Sequence, residues 1–263
     1  MARTIAITNQ KGGVGKTTTS INLSASLAAA DCRVLIVDSD PQANTTGGLG
    51  FPHDPERLGL YEVLVDQVPV DTALLETGFS GLEILPSGRH LAGANVELVG
   101  QEGREVRLTR ALESIQDRYD FIFIDCPPAL DQLTLNALIA ADSVLIPIQC
   151  EYFALEGVSA LMETIDQLKQ GLNETLMIEG VLLTMFDDRT SLTKQVASDL
   201  RQFFGADMFE TVIPRNIRLA EAPSHGKPVM EYDLRSKGAD SYLRLAREVL
   251  DRMEQRAMEH GAR

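Results

Sequence analysis

Near-continuous apolar runs punctuate the chain at 4–7, 34–37, 121–124, 144–148 and 181–183. They are rich in Val and Ile and do not alternate with polar residues, which predicts strands covered on both faces. Between them, 17–30, 105–117, 155–169 and 192–204 repeat apolar residues at three- and four-residue spacing, the pattern of a helix with one buried stripe. A last helix is predicted over 238–259, with Tyr242, Leu245, Ala246, Val249 and Met253 on one face. Strand and helix units alternating at this length imply a doubly wound, mostly parallel α/β sheet flanked by helices, with right-handed crossovers. The stretch 47–59 is rich in Gly and Pro and reads as a surface loop. No repeat, low-complexity tract or linker interrupts the pattern. The expectation is therefore one domain over 1–263, ending in a polar tail at about 254–263.

Composition narrows the class. Of 263 residues, 44% are hydrophobic and 24% charged, which excludes a disordered or fibrous chain. Cys32, Cys126 and Cys150 are too few and too scattered for a disulfide framework or a cysteine-rich metal site, and they fit a reducing, cytoplasmic setting. The N-terminal residues lack the apolar core of a signal peptide, and no apolar run approaches the roughly 18 residues of a membrane span. Acidic residues exceed basic ones by 38 to 24, a net charge of -14 that opposes nucleic-acid binding unless positive charge is gathered locally.

After the first predicted strand comes Asn9-Gln10-Lys11-Gly12-Gly13-Val14-Gly15-Lys16-Thr17-Thr18, then a helical pattern. A glycine-rich turn at a strand-to-helix junction lets backbone N–H groups approach phosphates, and the helix N-terminus adds partial positive charge. Lys16 is placed to reach the β- and γ-phosphates of a nucleotide, and the Thr17 hydroxyl to hold Mg²⁺. The match to G-x-x-x-x-G-K-[ST] departs at its first position: Gln10 replaces the glycine, and Lys11 adds a second lysine. Lys11 precedes the cradle, so it can serve a nucleotide bound across a dimer interface.

Two further carboxylate groups follow predicted strands. The second strand ends in Asp38-Ser39-Asp40-Pro41, and 121–124 ends in Asp125-Cys126-Pro127-Pro128. Ligands of open parallel sheets bind beyond the carboxyl ends of the strands, beside the phosphate loop. There Asp38 and Asp40 can orient an attacking water, and Asp125 can serve the Mg²⁺ shell. Cys126 reads as a buried structural thiol, since no second cysteine lies at a usable spacing.

The runs KGGVGKTTTSINL, VDSDPQANTTGGLG, FIFIDCPP, PIQCEYFALEG, EGVLLTMFDDRT and VIPRNIRLAEAPSHGKPV resemble the ParA/Soj family of partitioning ATPases, a deviant Walker A group within the MinD-like class of P-loop NTPases. The likeness extends from residue 3 to about 247. It implies ATP and Mg²⁺ as cofactors and an ATP-dependent homodimer that sandwiches two nucleotides. Carried over by position, Lys11 is the signature lysine acting on the partner's phosphates. Gly12, Gly13, Val14, Gly15, Lys16, Thr17 and Thr18 form the cradle. Asp40 positions the hydrolytic water with Asp38 assisting, and Thr17 and Asp125 belong to the metal shell. Glu151 reaches across the dimer, and Pro214 and Asn216 border the adenine. The resemblance also implies non-specific binding of double-stranded DNA, nucleoid association when ATP-bound, and stimulation by a centromere-bound ParB-type partner. Ser39 departs from the family, whose members often carry a short hydrophobic residue between the two aspartates; this bears on how rigidly Asp40 is held.

A basic surface for DNA is legible in the sequence. From residue 213 to 247 seven basic residues face four acids, a local +3 within a chain of -14. Arg189 and Arg218 match arginines that the resemblance implicates in DNA contact, and Lys227 lies in the same basic stretch. Few aromatic residues accompany them, so contact with the duplex backbone is expected rather than base stacking. The rival reading is a MinD-like membrane-associated positioning ATPase. It needs an amphipathic C-terminal anchor, which the polar tail does not supply. An iron–sulfur reductase of the same class needs paired cluster cysteines, which are missing.

Overall fold

The five predicted apolar runs form five adjacent strands. A computed structural model describes residues 1–151 and 154–261. Its sheet contains β1 (Arg3–Ile7), β2 (Val34–Asp38), β3 (Leu75–Glu76), β4 (Leu82–Leu85), β5 (Phe121–Asp125), β6 (Ser143–Gln149) and β7 (Met177–Thr184), in the order β3-β4-β2-β5-β1-β6-β7. Every pairing is parallel except β3 with β4. Successive strand residues point to opposite faces. Leu35, Val37, Ile122 and Ile124 therefore enter one buried cluster, while Val34, Ile36, Phe121 and Phe123 enter the other.

Each cluster is covered by helices. On one face lie Leu60–Leu64, Leu91–Glu97, Arg107–Glu113, Gln132–Ala140, Ala154–Lys169 and Ser191–Phe204; on the other, Lys16–Ala28 packs with the C-terminal helix Lys237–Gly261. The helix predicted over 105–117 is broken into a 3₁₀ turn, an α-helix and a second 3₁₀ turn, yet Leu108, Leu112 and Ile115 are all buried, so the apolar period held while the backbone tightened. The helix Gln132–Ala140 left no readable stripe, because six of its nine residues are buried and the other three half-buried; Asp131 starts it by accepting the N–H groups of Leu133 and Thr134. Strands β3 and β4 also escaped the pattern, one being two residues long and the other interrupted by Glu83.

Pro147 sits inside a central strand, where a missing N–H normally costs a ladder bond. Here β6 pairs with β1 only through Leu145. Beyond that point β1 has turned into its loop, and Asn9 Nδ2 donates to the Pro147 carbonyl at 2.8 Å. The proline thus lies on the side from which the neighbouring strand has already departed.

The C-terminal helix is tied along its length. Tyr242 shares a hydrogen bond with Thr19 at 3.1 Å, and the Arg252 guanidinium stacks over Phe209. Near its end Arg256 donates to Glu179 at 3.0 Å. Glu179 is fully buried on β7, and the same Oε2 atom accepts from Arg3 and from Ser143. Two arginines from opposite ends of the chain therefore meet one buried carboxylate. Removing one partner of a buried ion pair leaves the others uncompensated. Glu179→Ala is expected to destabilise the fold by about 3 kcal/mol in urea unfolding. A change under about 1 kcal/mol would mean that Arg3 and Arg256 rehydrate freely. The polar tail begins inside this clasp; residues 262–263 lie outside the described residues.

Candidate functional site

The loop leaving β1 reaches the helix Lys16–Ala28 through two glycines with positive φ, Gly13 at +74° and Gly15 at +91°. Side-chain-bearing residues disfavour that region. A β-carbon placed on Gly12 or Gly13 would meet nothing within 4 Å, so the bare backbone there faces open space. The loop is held from behind. Asn9 is buried and accepts the Lys11 N–H at 3.0 Å, and the Thr184 hydroxyl donates to the Val14 carbonyl at 2.7 Å.

Lys16 is buried and folds over the loop, donating to the carbonyls of Asn9 at 3.0 Å and Lys11 at 3.2 Å. Burial lowers its pKa, opposed by the nearby carboxylates of Asp125 and Asp40. The Thr17 hydroxyl donates to Asp125 Oδ2 at 2.9 Å, and Thr45 donates to the same oxygen at 2.6 Å. The other oxygen, Oδ1, is buried without a hydrogen-bond partner. An orphaned carboxylate oxygen beside a threonine hydroxyl is an all-oxygen donor set suited to a hard divalent cation, and Mg²⁺ fits it.

Asp38 faces Asp125 across the β2–β5 pairing. Burial first, and the Asp125 charge second, push the Asp38 pKa above the ordinary carboxylate range. Its oxygens accept the Thr46 N–H at 2.8 Å, the Thr46 hydroxyl at 2.7 Å and the Asp40 N–H at 3.2 Å. Asp38 thus lies beneath the site and holds the turn that carries Asp40. Ser87 donates to the Asp40 carbonyl at 2.7 Å, and Ser39 N–H donates to the Asp125 carbonyl at 2.9 Å. The backbone around Asp40 is therefore fixed by Asp38 and Ser87, and the buried Ser39 hydroxyl makes no hydrogen bond to it.

These residues open on a cleft of about 690 Å³. Gly12, Gly13, Gly15, Lys16, Thr17, Thr18 and Asp40 form one wall, Met185, Pro214 and Asn216 line another part, and Thr184 lies where the two meet, bonded to Val14. Lys11 does not line it. Its ammonium pairs with the carboxylate of Glu151, both partly exposed, so the two residues meet within one chain. Tyr152 and Phe153 of the PIQCEYFALEG run lie outside the described residues.

The three candidate DNA contacts are on the surface, and each already has an acidic partner. Arg189 forks onto Asp187 at 2.8 and 2.6 Å and holds that carboxyl down at about 2. Arg218 reaches Glu221 at 2.8 Å and Asp233 at 3.2 Å, and Lys227 reaches Glu231 at 2.7 Å. Exposed pairs contribute about 0–1 kcal/mol, so exchanging such a partner for a phosphate costs little. Cys126 is buried and its thiol is pushed up by that burial, away from any reactive state. Among the described residues no group of three or more His, Cys, Asp or Glu could hold a metal, and no helix is long and apolar enough to cross a membrane.

Several residues of the site carried no sequence signal of their own. Thr45, Thr46 and Ser87 act through hydrogen bonds that link distant loops. Thr184 had a faint one: it follows the apolar run 181–183, at the strand end where ligands of such sheets sit.

Residues 2–178 match the AAA domain family. The chain is 55% identical over 249 residues to the sporulation initiation inhibitor protein Soj of Bacillus subtilis, covering 95% of this chain and 98% of that one. It is 54% identical over 252 residues to the chromosome partitioning protein ParA of Myxococcus xanthus, covering 96% and 89%. Among solved structures it is similar to one described as cobyrinic acid a,c-diamide synthase from Mycobacterium smegmatis with bound ADP and magnesium. That match has a TM-score of 0.85 at 37% identity and covers 97% of this chain and 96% of the other.

Proposed function

Because this chain belongs to the ParA/Soj family of chromosome-partitioning ATPases, we propose that its cleft binds Mg·ATP, that two ATP-loaded chains pair, and that the pair holds duplex DNA without sequence preference until a ParB-type partner stimulates hydrolysis. The observation that carries the nucleotide reading is the bare glycine backbone beside Lys16, next to the orphaned Asp125 oxygen.

Each residue then has a physical task. The N–H groups of Gly12 to Thr18 and the helix N-terminus attract phosphate oxygens. Lys16 exchanges two backbone carbonyls for phosphate oxygens, which regains the charge partner that burial denies it. Thr17 and Asp125 would hold Mg²⁺, which would offset the charge on the phosphates. Asp40 lines the cleft on a backbone fixed by Asp38 and Ser87, so its carboxylate can orient a water without first being ordered. Pro214 and Asn216 on the far wall suit the flat adenine ring. Lys11 is the residue free to change partners: it leaves Glu151 for the phosphates of the second chain. The nucleotide-bound dimer would be the nucleoid-associated form of a cytoplasmic protein.

Support for DNA over a membrane comes from the last helix. Tyr242, Leu245, Ala246 and Val249 are spent on the protein's own core, Arg252 is drawn onto Met208 and Phe209, and Arg256 onto Glu179. Co-sedimentation with duplex DNA or with lipid vesicles, with and without ATP, separates the two readings. Binding to vesicles alone would favour the positioning switch.

The basic face has a sharper test. A protein that neutralises phosphates releases counterions, and its affinity falls with salt. Arg189 and Arg218 each occur twice in the dimer, so one substitution removes two contacts. Arg189→Ala or Arg218→Ala is expected to weaken binding equally on unrelated sequences and to flatten the salt slope by up to about 2. ATP binding should be unchanged. If both variants keep the wild-type slope in a salt titration with ATP present, the DNA face lies elsewhere.

A further inference from the structure

The two walls of the cleft come from distant parts of the chain, and one hydrogen bond joins them. Thr184, the last residue of β7, is buried, and its hydroxyl donates to the Val14 carbonyl at 2.7 Å. Its methyl group lies 3.6 Å from where a β-carbon on Gly15 would stand. A peptide unit is planar and trans, so its C=O and N–H point in opposite directions. Holding the Val14 carbonyl against Thr184 therefore turns the Gly15 N–H away from β7. Gly15 lines the cleft and has no side chain with which to fix its own backbone at φ +91°. Thr184 restrains the peptide on the N-terminal side of Gly15, while on the other side the Gly15 carbonyl accepts the Thr19 N–H at 2.9 Å.

The next residue is under strain. Met185 has φ +48°, a left-handed conformation that a long side chain adopts only when its surroundings impose it. The restraints are visible on both sides. Thr184 is tied to the phosphate loop. Phe186 is tied to the opposite segment: its N–H donates to the Ile213 carbonyl at 2.9 Å, and its carbonyl accepts from the Arg215 N–H at 3.3 Å. That segment carries Pro214 and Asn216, and Met185 itself faces the cleft. One strained residue thus spans the distance between the wall that would meet the phosphates and the wall that would meet the base.

We propose that Thr184 is a positioning residue for the phosphate loop, and that residues 184–186 form a brace keeping the loop in register with the Pro214 and Asn216 wall. The proposal rests on the nucleotide reading above. Thr184 need not touch the nucleotide; it acts through the Val14–Gly15 peptide.

The test compares Thr184→Val, which keeps the shape and loses the donor, with Thr184→Ser, which keeps the donor and loses the methyl group. Mg·ADP is titrated into each by calorimetry, and thermal melts are recorded alongside. Thr184→Val should bind about tenfold more weakly, because the freed Val14–Gly15 peptide leaves the binding-competent loop only fractionally populated. Thr184→Ser should stay within about threefold of wild type, the donor being retained. Both should melt within a few degrees of wild type, so that the loss belongs to binding rather than to folding. Wild-type affinity in Thr184→Val overturns the brace. So does a loss in Thr184→Ser as large as in Thr184→Val, which would trace the effect to packing. If Thr184→Val does not fold, Thr184→Ala removes the same donor and carries the same expectation. Failure of the wild-type protein to bind Mg·ADP overturns the nucleotide reading and the brace with it, whereas equal binding by wild type and Thr184→Val overturns the brace alone.

Discussion

Lys16→Ala should lose ATP affinity by at least about a hundredfold, the loss expected when one partner of a buried charge pair is removed. The cleft explains the size of the effect. Asp40 lines it and Asp125 is bonded to the lining Thr17, so a triphosphate entering without Lys16 would meet these carboxylates and, among the described residues lining the cleft, no cation but the exposed Arg215. Lys16 is also preorganised, with its ammonium already turned over the loop by the Asn9 and Lys11 carbonyls. Lys16→Arg is no substitute, because a planar guanidinium cannot occupy a site shaped for a compact ammonium. Calorimetry with Mg·ATP reads the outcome directly. Retention of wild-type affinity by Lys16→Ala would remove the phosphate-loop assignment and everything built on it.

Asp40→Ala should separate binding from chemistry. Positioned proton acceptors contribute about 10²–10⁴ in rate, so hydrolysis should fall by at least about a hundredfold. Binding should survive, because the Asp40 carboxylate makes one local bond, accepting the Gln42 N–H at 2.9 Å, while its backbone is held by Asp38 and Ser87. The expected product is a dimer that persists in ATP, visible by size-exclusion chromatography with light scattering. A variant that stays monomeric in saturating ATP would show that Asp40 shapes the cleft instead. Unchanged turnover would move the catalytic role to another residue. Asp40→Asn keeps the acceptor for Gln42 and so controls for the lost turn bond.

The proposed DNA face has a feature that composition alone hides. Its arginines and lysine sit beside acids that partly cancel them: Asp187, Glu221, Asp233 and Glu231. Within the stretch that carries the local excess of +3, Arg218, Lys227 and Arg244 are therefore partly neutralised in a single chain. Doubling the face in a dimer raises its field without changing any one pair, which is a physical reason for DNA affinity to follow ATP.

Local chemistry wrote much of this protein into its sequence. A strand buried on both faces must be apolar throughout, so β1, β2, β5, β6 and β7 were readable from hydrophobicity alone. The glycine turn between β1 and the helix Lys16–Ala28 was readable because glycine takes the positive φ at Gly13 and Gly15 without strain. That Asp125 would end one strand and Asp40 would closely follow another was readable from the apolar runs before them. Tertiary structure decided what depends on distance through space. Strand order set Asp38 against Asp125, and the crossing of loops joined Ser87 to Asp40 and Lys11 to Glu151. Thr184 reached Val14 across 170 positions, and Glu179 gathered Arg3 and Arg256 from the two ends of the chain. A hydrogen bond between remote segments leaves no period and no spacing in either of them. It exists only once the sheet has brought the segments together.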